Sequence, residues 1–127
     1  MEINLPDVVA EVEAMFARYE EALVGNDVAA LDEMFWASDR TIRYGVTENL
    51  HGHAEIAAFR AARSAHGLAR TLDRTVITTY GRDMATASTL YRRETQPGMV
   101  GRQMQTWMRT PAGWKVVAAH VSLVREG

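Results

Sequence analysis

Cysteine is absent from this chain of 127 residues, which excludes disulfides, thiolate metal ligands and a cysteine nucleophile. No apolar run is long enough to cross a bilayer, so no membrane contact is expected. The first ten residues lack a positive stretch followed by a long apolar one, and we therefore expect no signal peptide and a cytoplasmic protein. A net charge of −2 provides no basic surface for a phosphate backbone, so nucleic acid is not an expected partner.

The amino-acid composition is that of one ordinary folded domain. Hydrophobic residues make up 47% of the chain and charged residues 24%, proportions that are typical of soluble globular proteins. The length is sufficient to bury a single core. No linker, repeat or low-complexity segment interrupts the sequence. The sequence therefore predicts one domain over residues 1–127.

Hydrophobic periodicity predicts three helices in the first half of the chain. Residues 6–25 carry apolar side chains at helical spacing, between a proline suited to a first turn and a glycine suited to a stop. Asp27 is placed as the N-cap of a short helix over residues 28–35. A third helix is expected over residues 54–65.

In the second half of the chain the apolar period changes to two. Strands are predicted over residues 70–80, 84–93, 100–109 and 114–124, after an earlier strand over residues 41–46. Short turns rich in proline and glycine separate the later strands, which indicates antiparallel hairpins. Helices followed by a meander predict an α+β domain in which one strongly curved antiparallel sheet packs on three helices.

The last predicted strand is apolar on both of its faces. Under strict alternation the apolar residues are Trp114, Val116 and Ala118 on one face and Val117, Ala119, Val121 and Leu123 on the other. A single helical layer covers one face of a sheet only, so the other face needs a second cover. The sequence therefore predicts a homodimer through the outer face of the sheet.

An arginine, Arg43, stands inside the strand over residues 41–46, ahead of Glu48. A guanidinium that faces a core needs a partner, because an unpaired buried charge is costly. The partner is either a protein carboxylate or an anionic ligand. Tyr19 lies on the apolar stripe of the first helix, where its hydroxyl either caps a backbone carbonyl or faces a cavity. A tyrosine and an arginine that converge on one cavity would bind a small carboxylate.

His120 and Ser122 share a face of the last strand with Trp114, if the alternation of side chains is uninterrupted. If Trp114 packs under the helices, both polar side chains point into the cavity and contact the substrate. The alternative for His120 is a hydrogen-bonded core histidine. A histidine and a serine two residues apart on a strand do not form a catalytic triad.

Two further residues are candidates for the pocket wall. Arg102 alternates with glutamines on the third strand of the meander, and we expect Arg102 to face inward. Trp36 follows the short helix and either lines the mouth of the pocket or closes the core. Arg60, Arg63 and Arg70 are expected to be solvated or paired with surface carboxylates.

Three potential metal ligands, His51, His53 and Glu55, lie close together in the sequence. Their spacing matches no established metal motif, and the glycine and histidine at positions 52–53 more naturally open the third helix. We expect neither a metal nor another cofactor.

Five segments of the sequence together resemble one family. They are FARYEEALVGNDVAALDEMFW (16–36), TIRYGVTENLHGH (41–53), GLARTLDRTVITTYGRD (67–83), GRQMQTWMRT (101–110) and GWKVVAAHVSL (113–123). These segments resemble the AtzH-like proteins, which include the HpxZ proteins of oxalurate catabolism, within the SnoaL-like, NTF2-like superfamily. The resemblance implies a cone of curved sheet around three helices, a pocket at its wide end and a dimer across the sheet.

The resemblance also implies a function. For this family an amidohydrolase role on carboxylated urea compounds has been proposed, such as conversion of 1,3-dicarboxyurea to allophanate, and its members accompany amidases in nitrogen catabolism. The tyrosine and arginine implicated in the family correspond to Tyr19 and Arg43. The expected protein is therefore an amidohydrolase, with a decarboxylating step left open, that takes an anionic substrate and is associated with an amidase.

Two other functions remain open at this point. One is a non-catalytic protein that binds a small carboxylate or assists an amidase. The other is an isomerase similar to ketosteroid isomerase, which requires an ionisable base inside the cone. Glu13, Glu20 and Glu21 of the first helix lie off its apolar face, which counts against the isomerase.

Overall fold

The computed structural model describes residues 1–127, which form three helices and six strands. In chain order they are α1 (Pro6–Val24), α2 (Val28–Met34), β1 (Ile42–Tyr44), β2 (Asn49–His51), α3 (His53–Ala62), β3 (Thr71–Tyr80), β4 (Met84–Arg92), β5 (Met99–Thr110) and β6 (Gly113–Arg125). This confirms the predicted α+β class. None of the helices is both long enough and apolar enough to span a membrane.

The helix ends follow from local chemistry. Pro6 occupies the first turn of α1, where its missing N–H is not needed, and the N–H of Gly25 donates to the carbonyl of Glu21 at 3.1 Å at the other end. Asp27 caps α2, since its carboxylate accepts a hydrogen bond from the N–H of Ala30 at 3.1 Å. The third helix stops three residues earlier than predicted, because Arg63 already has extended backbone angles.

All six strands belong to one sheet, in the order β2-β1-β6-β5-β4-β3. The meander of β3 to β6 pairs antiparallel as predicted, whereas β1 pairs with β6 in parallel. The prediction of an antiparallel sheet is wrong at this pair, because the long connection through β2, α3 and β3 to β5 allows β6 to return parallel to β1. Strand β2 lies between the strand predicted over residues 41–46 and the helix predicted over residues 54–65, where no element was predicted.

The core lies between the helices and the inner face of the sheet. Trp107 is fully buried there, and its indole N–H donates to the side-chain oxygen of Gln105 at 3.0 Å. The buried residues of α1 are Val8, Val12, Phe16, Tyr19, Ala22 and Leu23. Their helical spacing gives one apolar stripe along α1, which is the face that packs on the sheet.

Strand β6 contains a one-residue bulge. On its neighbour β5, Thr106 pairs with Ala118 and Trp107 pairs with Val116, so Val117 has no residue opposite it. Because side chains alternate with a period of two, one extra residue inverts the alternation for the rest of the strand.

The inverted alternation moves two of the predicted site residues to the outside. Before the bulge Trp114 is buried, and after it the buried residue is Ala119, whereas His120 is exposed. Ser122 shares the outer face with His120. The prediction that His120 and Ser122 share a face with Trp114 is therefore wrong, because it assumed uninterrupted alternation.

Gly101 in β5 lies directly against the ring of Tyr91 in β4. A Cβ at position 101 would lie 1.8 Å from Cε2 of that ring, and Tyr91 is only 2% exposed. We expect Gly101→Ala to force the ring out of place and to lower the free energy of unfolding by about 1–3 kcal/mol, as overpacking does. Chemical denaturation measures the loss, and a Gly101→Ala/Tyr91→Leu double variant should recover part of it. Unchanged stability of Gly101→Ala would contradict the steric explanation.

Candidate functional site

A cavity of about 140 Å³ opens between α1, the end of α3 and the sheet. It is comparable in size to a cavity that binds benzene, so it holds one small molecule. Its polar lining residues are Tyr19, Arg43, Glu48, Arg63, Arg70, Arg93 and Gln103. Each of the seven lies in or directly beside a different helix or strand, and four of the seven polar side chains are arginines.

Tyr19 reaches the cavity from the apolar face of α1. The residue is 3% exposed, and its ring packs against Phe35 with centroids 6.2 Å apart. Its hydroxyl makes no hydrogen bond to a protein group, so it does not cap a backbone carbonyl. The hydroxyl is therefore available to a molecule in the cavity.

Arg43 reaches the same cavity from β1. It pairs with Ala119 across the parallel strands and so points to the inner side of the sheet. Its Nη1 donates to Oε1 of Glu48 at 2.7 Å, and its guanidinium lies 5.5 Å from the ring centroid of Phe59. Its Nε and Nη2 make no hydrogen bond to the protein. Arg43 is thus held by a carboxylate on one side and keeps donors for an anion on the other.

Glu48 is the carboxylate that holds Arg43, and the sequence could not decide its role. Burial alone would raise the pKa of Glu48, but hydrogen bonds from Thr47 and Arg43 outweigh burial and lower the pKa below its usual value. The Thr47 hydroxyl donates at 2.6 Å and its backbone N–H at 3.0 Å. Glu48 is consequently an ionised counterion at neutral pH.

The other predicted site residues lie elsewhere. On the outer face the ring of His120 lies 6.4 Å from that of Tyr44, and the Ser122 hydroxyl accepts a hydrogen bond from Nε of Arg102 at 3.1 Å. None of these side chains lines the cavity. Arg102 is exposed, so its predicted inward orientation is wrong; the buried Trp107 sets the alternation of β5 and turns the glutamines inward.

Trp36 is half-buried and lines a separate surface groove with His53 and Lys115. It does not border the cavity that contains Tyr19, so its prediction as a pocket residue is wrong. His53 contacts the carbonyl oxygen of Asp32 through Nε2 at 2.7 Å. No group of three or more histidine, aspartate or glutamate side chains is arranged to hold a metal ion.

The side chains of Arg60 and Arg70 are buried, although the sequence interpretation placed them on the surface. Arg60 is 2% exposed and stacks on the ring of Phe35 at 4.1 Å, and burial lowers the pKa of its guanidinium. Arg70 donates to the carboxylate of Glu20 at 2.6 and 2.9 Å and to Gln103 at 3.0 Å. Arg60 also pairs with the partly exposed carboxylate of Asp32, at 3.4 Å. Both arginines are therefore paired with carboxylates, as one of the two alternatives expected, but the expectation that their side chains lie at the surface is wrong.

Two spacing signals could have identified the missed arginines. Ile56, Phe59, Arg60 and Arg63 follow one another at helical spacing, so the arginines continue the apolar face of α3. Arg93 continues the alternation of the buried residues of β4. A charged residue within an apolar pattern was interpreted as a sign of a site only in β1, and Arg93 was not among the candidates.

The structure is similar to several solved structures. A protein of unknown function from the DUF3225 family of Pectobacterium atrosepticum is 59% identical, with 96% of this chain and 94% of that chain covered and a TM-score of 0.94. A cystatin-like fold protein from Burkholderia xenovorans is 49% identical, with 100% and 99% covered and a TM-score of 0.96.

An NTF2-like protein of unknown function from Pseudomonas putida shares the fold at 19% identity, with 91% and 86% covered and a TM-score of 0.77. The fold is therefore the NTF2-like, cystatin-like one, as predicted. No curated protein matches the chain. The sequence pattern of one family matches residues 1–127, the whole length of the chain, and the chain thus belongs to the AtzH-like family.

Proposed function

We propose that the chain is an amidohydrolase that acts on a carboxylated urea-type compound such as 1,3-dicarboxyurea. The observation that carries the proposal is that the free hydroxyl of Tyr19 and the guanidinium of Arg43 line one small cavity. The size of the cavity suits a molecule of this kind. The substrate class is taken from the AtzH-like family, to which the chain belongs.

In the proposed reaction the bond between a urea nitrogen and a terminal carboxyl carbon breaks. The nitrogen gains a proton, and the carboxyl group leaves as carbon dioxide or, after addition of one water, as bicarbonate. Dicarboxyurea thereby becomes allophanate. Arg43 holds a substrate carboxylate through its unused donors, and the Tyr19 hydroxyl gives its proton to the departing nitrogen and regains one from solvent.

The cavity favours the version of this reaction that does not need an activated water. Glu48 is the only carboxylate among the lining residues, and it is already bonded to Arg43 and Thr47. The nearby Glu20 is bonded to Arg70. Protonation of the nitrogen with loss of carbon dioxide requires only a proton donor and a cation that holds the substrate carboxylate. The same pairing leaves no free base for isomerase chemistry.

Turnover by the purified protein, free of any amidase, tests the proposal. We expect ¹³C NMR to show conversion of 1,3-dicarboxyurea to allophanate with release of carbon dioxide or bicarbonate. A chelator should leave the rate unchanged, because no metal has a role in the proposed steps. Binding without turnover would overturn the proposal in favour of a carboxylate-binding or amidase-accessory protein.

We further propose that two copies of the chain associate through the outer face of the sheet. The bulge reduces the contribution of β6 to this face, because Ala119 and Val121 turn inward. The apolar surface there is instead formed by methionines, with Met84 opposite Met108 and with Met104 59% exposed. Methionine-rich surfaces suit association.

A charge in the middle of this outer face should separate the two copies. We expect Met104→Glu to be monomeric at micromolar concentration and the wild type to be dimeric, as measured by light scattering. Val24→Glu, at an exposed apolar position at the end of α1, is the matched control and should remain dimeric. A monomeric wild type would contradict the proposal.

A further inference from the structure

We propose that Arg63 and Arg93 form a second carboxylate subsite in the cavity, and that the cavity thereby selects molecules with two carboxylates. This inference rests on the proposed function for the identity of the substrate, and on the charges of the cavity for the subsite itself. It assigns the two ends of one dianion to different residues, with Arg43 at one end and the Arg63–Arg93 pair at the other.

The charges around the cavity do not cancel. Arg43 is paired with Glu48 at 2.7 Å, and Arg70 is paired with Glu20 at 2.6 Å. No carboxylate lies within salt-bridge distance of the two remaining lining arginines, Arg63 and Arg93. Two positive charges are therefore uncompensated, and a dianion would neutralise both.

The position of these two arginines distinguishes them from the other unpaired arginines of the chain. Both are partly buried, so water screens them less than it screens a surface charge. The arginines that lack a carboxylate partner and are exposed are Arg18, Arg40, Arg74, Arg102 and Arg125. An unpaired charge at the surface needs no ligand, whereas one at a cavity wall is stabilised by an anion.

The two guanidiniums are oriented without being neutralised. Arg93 stacks on Tyr91 at 4.8 Å, and Arg70 contacts the same ring at 4.6 Å. Arg63 donates through Nη2 to the side-chain oxygen of Asn26 at 3.3 Å. An aromatic ring and a neutral amide fix the direction of a guanidinium but leave its charge in place.

Buried donors at this end of the cavity also lack partners. Nε of Arg63, Nε of Arg93 and Nε2 of Gln103 are inaccessible to water and make no hydrogen bond. Burial lowers the pKa of Arg63, and repulsion by Arg43 and Arg60 lowers the pKa further. Desolvation and repulsion both oppose this arrangement in the empty protein, and a carboxylate bound to the accessible guanidinium nitrogen atoms offsets them by its opposite charge.

The volume of the cavity argues for one molecule with two carboxylates rather than two separate anions. About 140 Å³ accommodates a single compact ligand. Its arginines come from three parts of the chain, β1, the end of α3 and the end of β4, and Arg43 and Arg63 are close enough to repel each other. A molecule with two carboxylates supplies negative charge to more than one of these arginines at once.

Binding of inert ligands tests the subsite. Glutarate has three atoms between its carboxyl carbons, as 1,3-dicarboxyurea does, and pentanoate has the same length with one carboxylate missing. By calorimetry we expect the wild type to bind glutarate about 10-fold or more tightly than pentanoate, the gain from one charge-assisted interaction. An Arg63→Gln/Arg93→Gln double variant should lose this preference and keep its pentanoate affinity within about twofold.

Arg102→Gln, which removes an exposed arginine of the outer face, is the matched control and should bind both ligands like the wild type. If circular dichroism shows that the double variant is unfolded, Arg63→Gln and Arg93→Gln are measured separately, and each should lose part of the preference. Equal affinities in the wild type, a preserved preference in the variants, or an equal loss of both affinities would overturn the subsite. Glutarate and pentanoate are not turned over, so absence of catalysis overturns the proposed reaction and leaves this result standing.

Discussion

Tyr19→Phe should fold like the wild type and lower kcat by about 10²–10⁴-fold, the usual contribution of general acid–base catalysis. The substitution keeps the ring that packs against Phe35. It also leaves no protein group without a partner, because the hydroxyl has none in the structure. Steady-state kinetics measure the loss of rate, and thermal unfolding verifies that stability is unchanged.

The matched control for this variant is Tyr44→Phe, since Tyr44 is exposed and lies on the outer face. It should retain the wild-type rate. A loss confined to KM in Tyr19→Phe would show that the hydroxyl only binds substrate. A wild-type kcat in Tyr19→Phe would show that the proposed proton transfer does not occur.

Arg43→Lys should lose almost as much kcat/KM as Arg43→Ala, about 10–100-fold or more, the equivalent of a lost charge-assisted hydrogen bond. An ammonium can still pair with Glu48, but it cannot also present a planar pair of donors to a carboxylate. The guanidinium of Arg43 performs both tasks in the structure, because Nη1 is bonded to Glu48 and the remaining donors are free. Kinetics of the two variants with the same substrate measure the difference.

Measurements of the free energy of unfolding distinguish the two roles of Arg43, which are pairing with Glu48 and binding of the substrate carboxylate. Arg43→Ala leaves the partly buried carboxylate of Glu48 without its counterion, so this variant should also be less stable, and an added Glu48→Gln should restore part of the loss. Arg43→Lys should be close to the wild type in stability. The matched control is Arg82→Lys in the exposed pair with Asp7, which should change neither quantity. Normal kcat/KM in Arg43→Lys would contradict the proposed role of the planar pair of guanidinium donors.

The parts of the fold that depend on short-range patterns could be predicted from the sequence. The helix over residues 6–25 and the four strands of the meander were each within a few residues of their observed bounds. Tyr19 and Arg43 could be singled out because each departs from its local pattern, a polar group on an apolar stripe and a charge inside a strand. The structure brings both side chains into the lining of one cavity.

The orientation of several site residues could not be predicted, because it depends on features that the hydrophobic periodicity of the sequence does not encode. A bulge leaves no composition signal at Val117, yet it decides the orientation of His120 and Ser122. On β5 either Arg102 or the alternating glutamines Gln103 and Gln105 had to face inward, and the sequence did not decide between them. The buried Trp107 on the same strand shows that the glutamines face inward. Whether Arg43 meets a protein carboxylate or a ligand could not be decided either; in the structure Nη1 is bonded to Glu48, and the other nitrogen atoms of the guanidinium have no protein partner.

The extra residue in β6 restricts the changes in length that this chain can accept during evolution. Deletion of Val117 would restore simple alternation, and every later side chain of the strand would then exchange sides at once. His120 and Ser122 would enter the cone, while Ala119 and Val121 would be expelled from it. A viable descendant without the bulge would need compensating substitutions along the whole second half of the strand. Insertions and deletions should therefore accumulate at the turns around positions 97 and 112 rather than within β6.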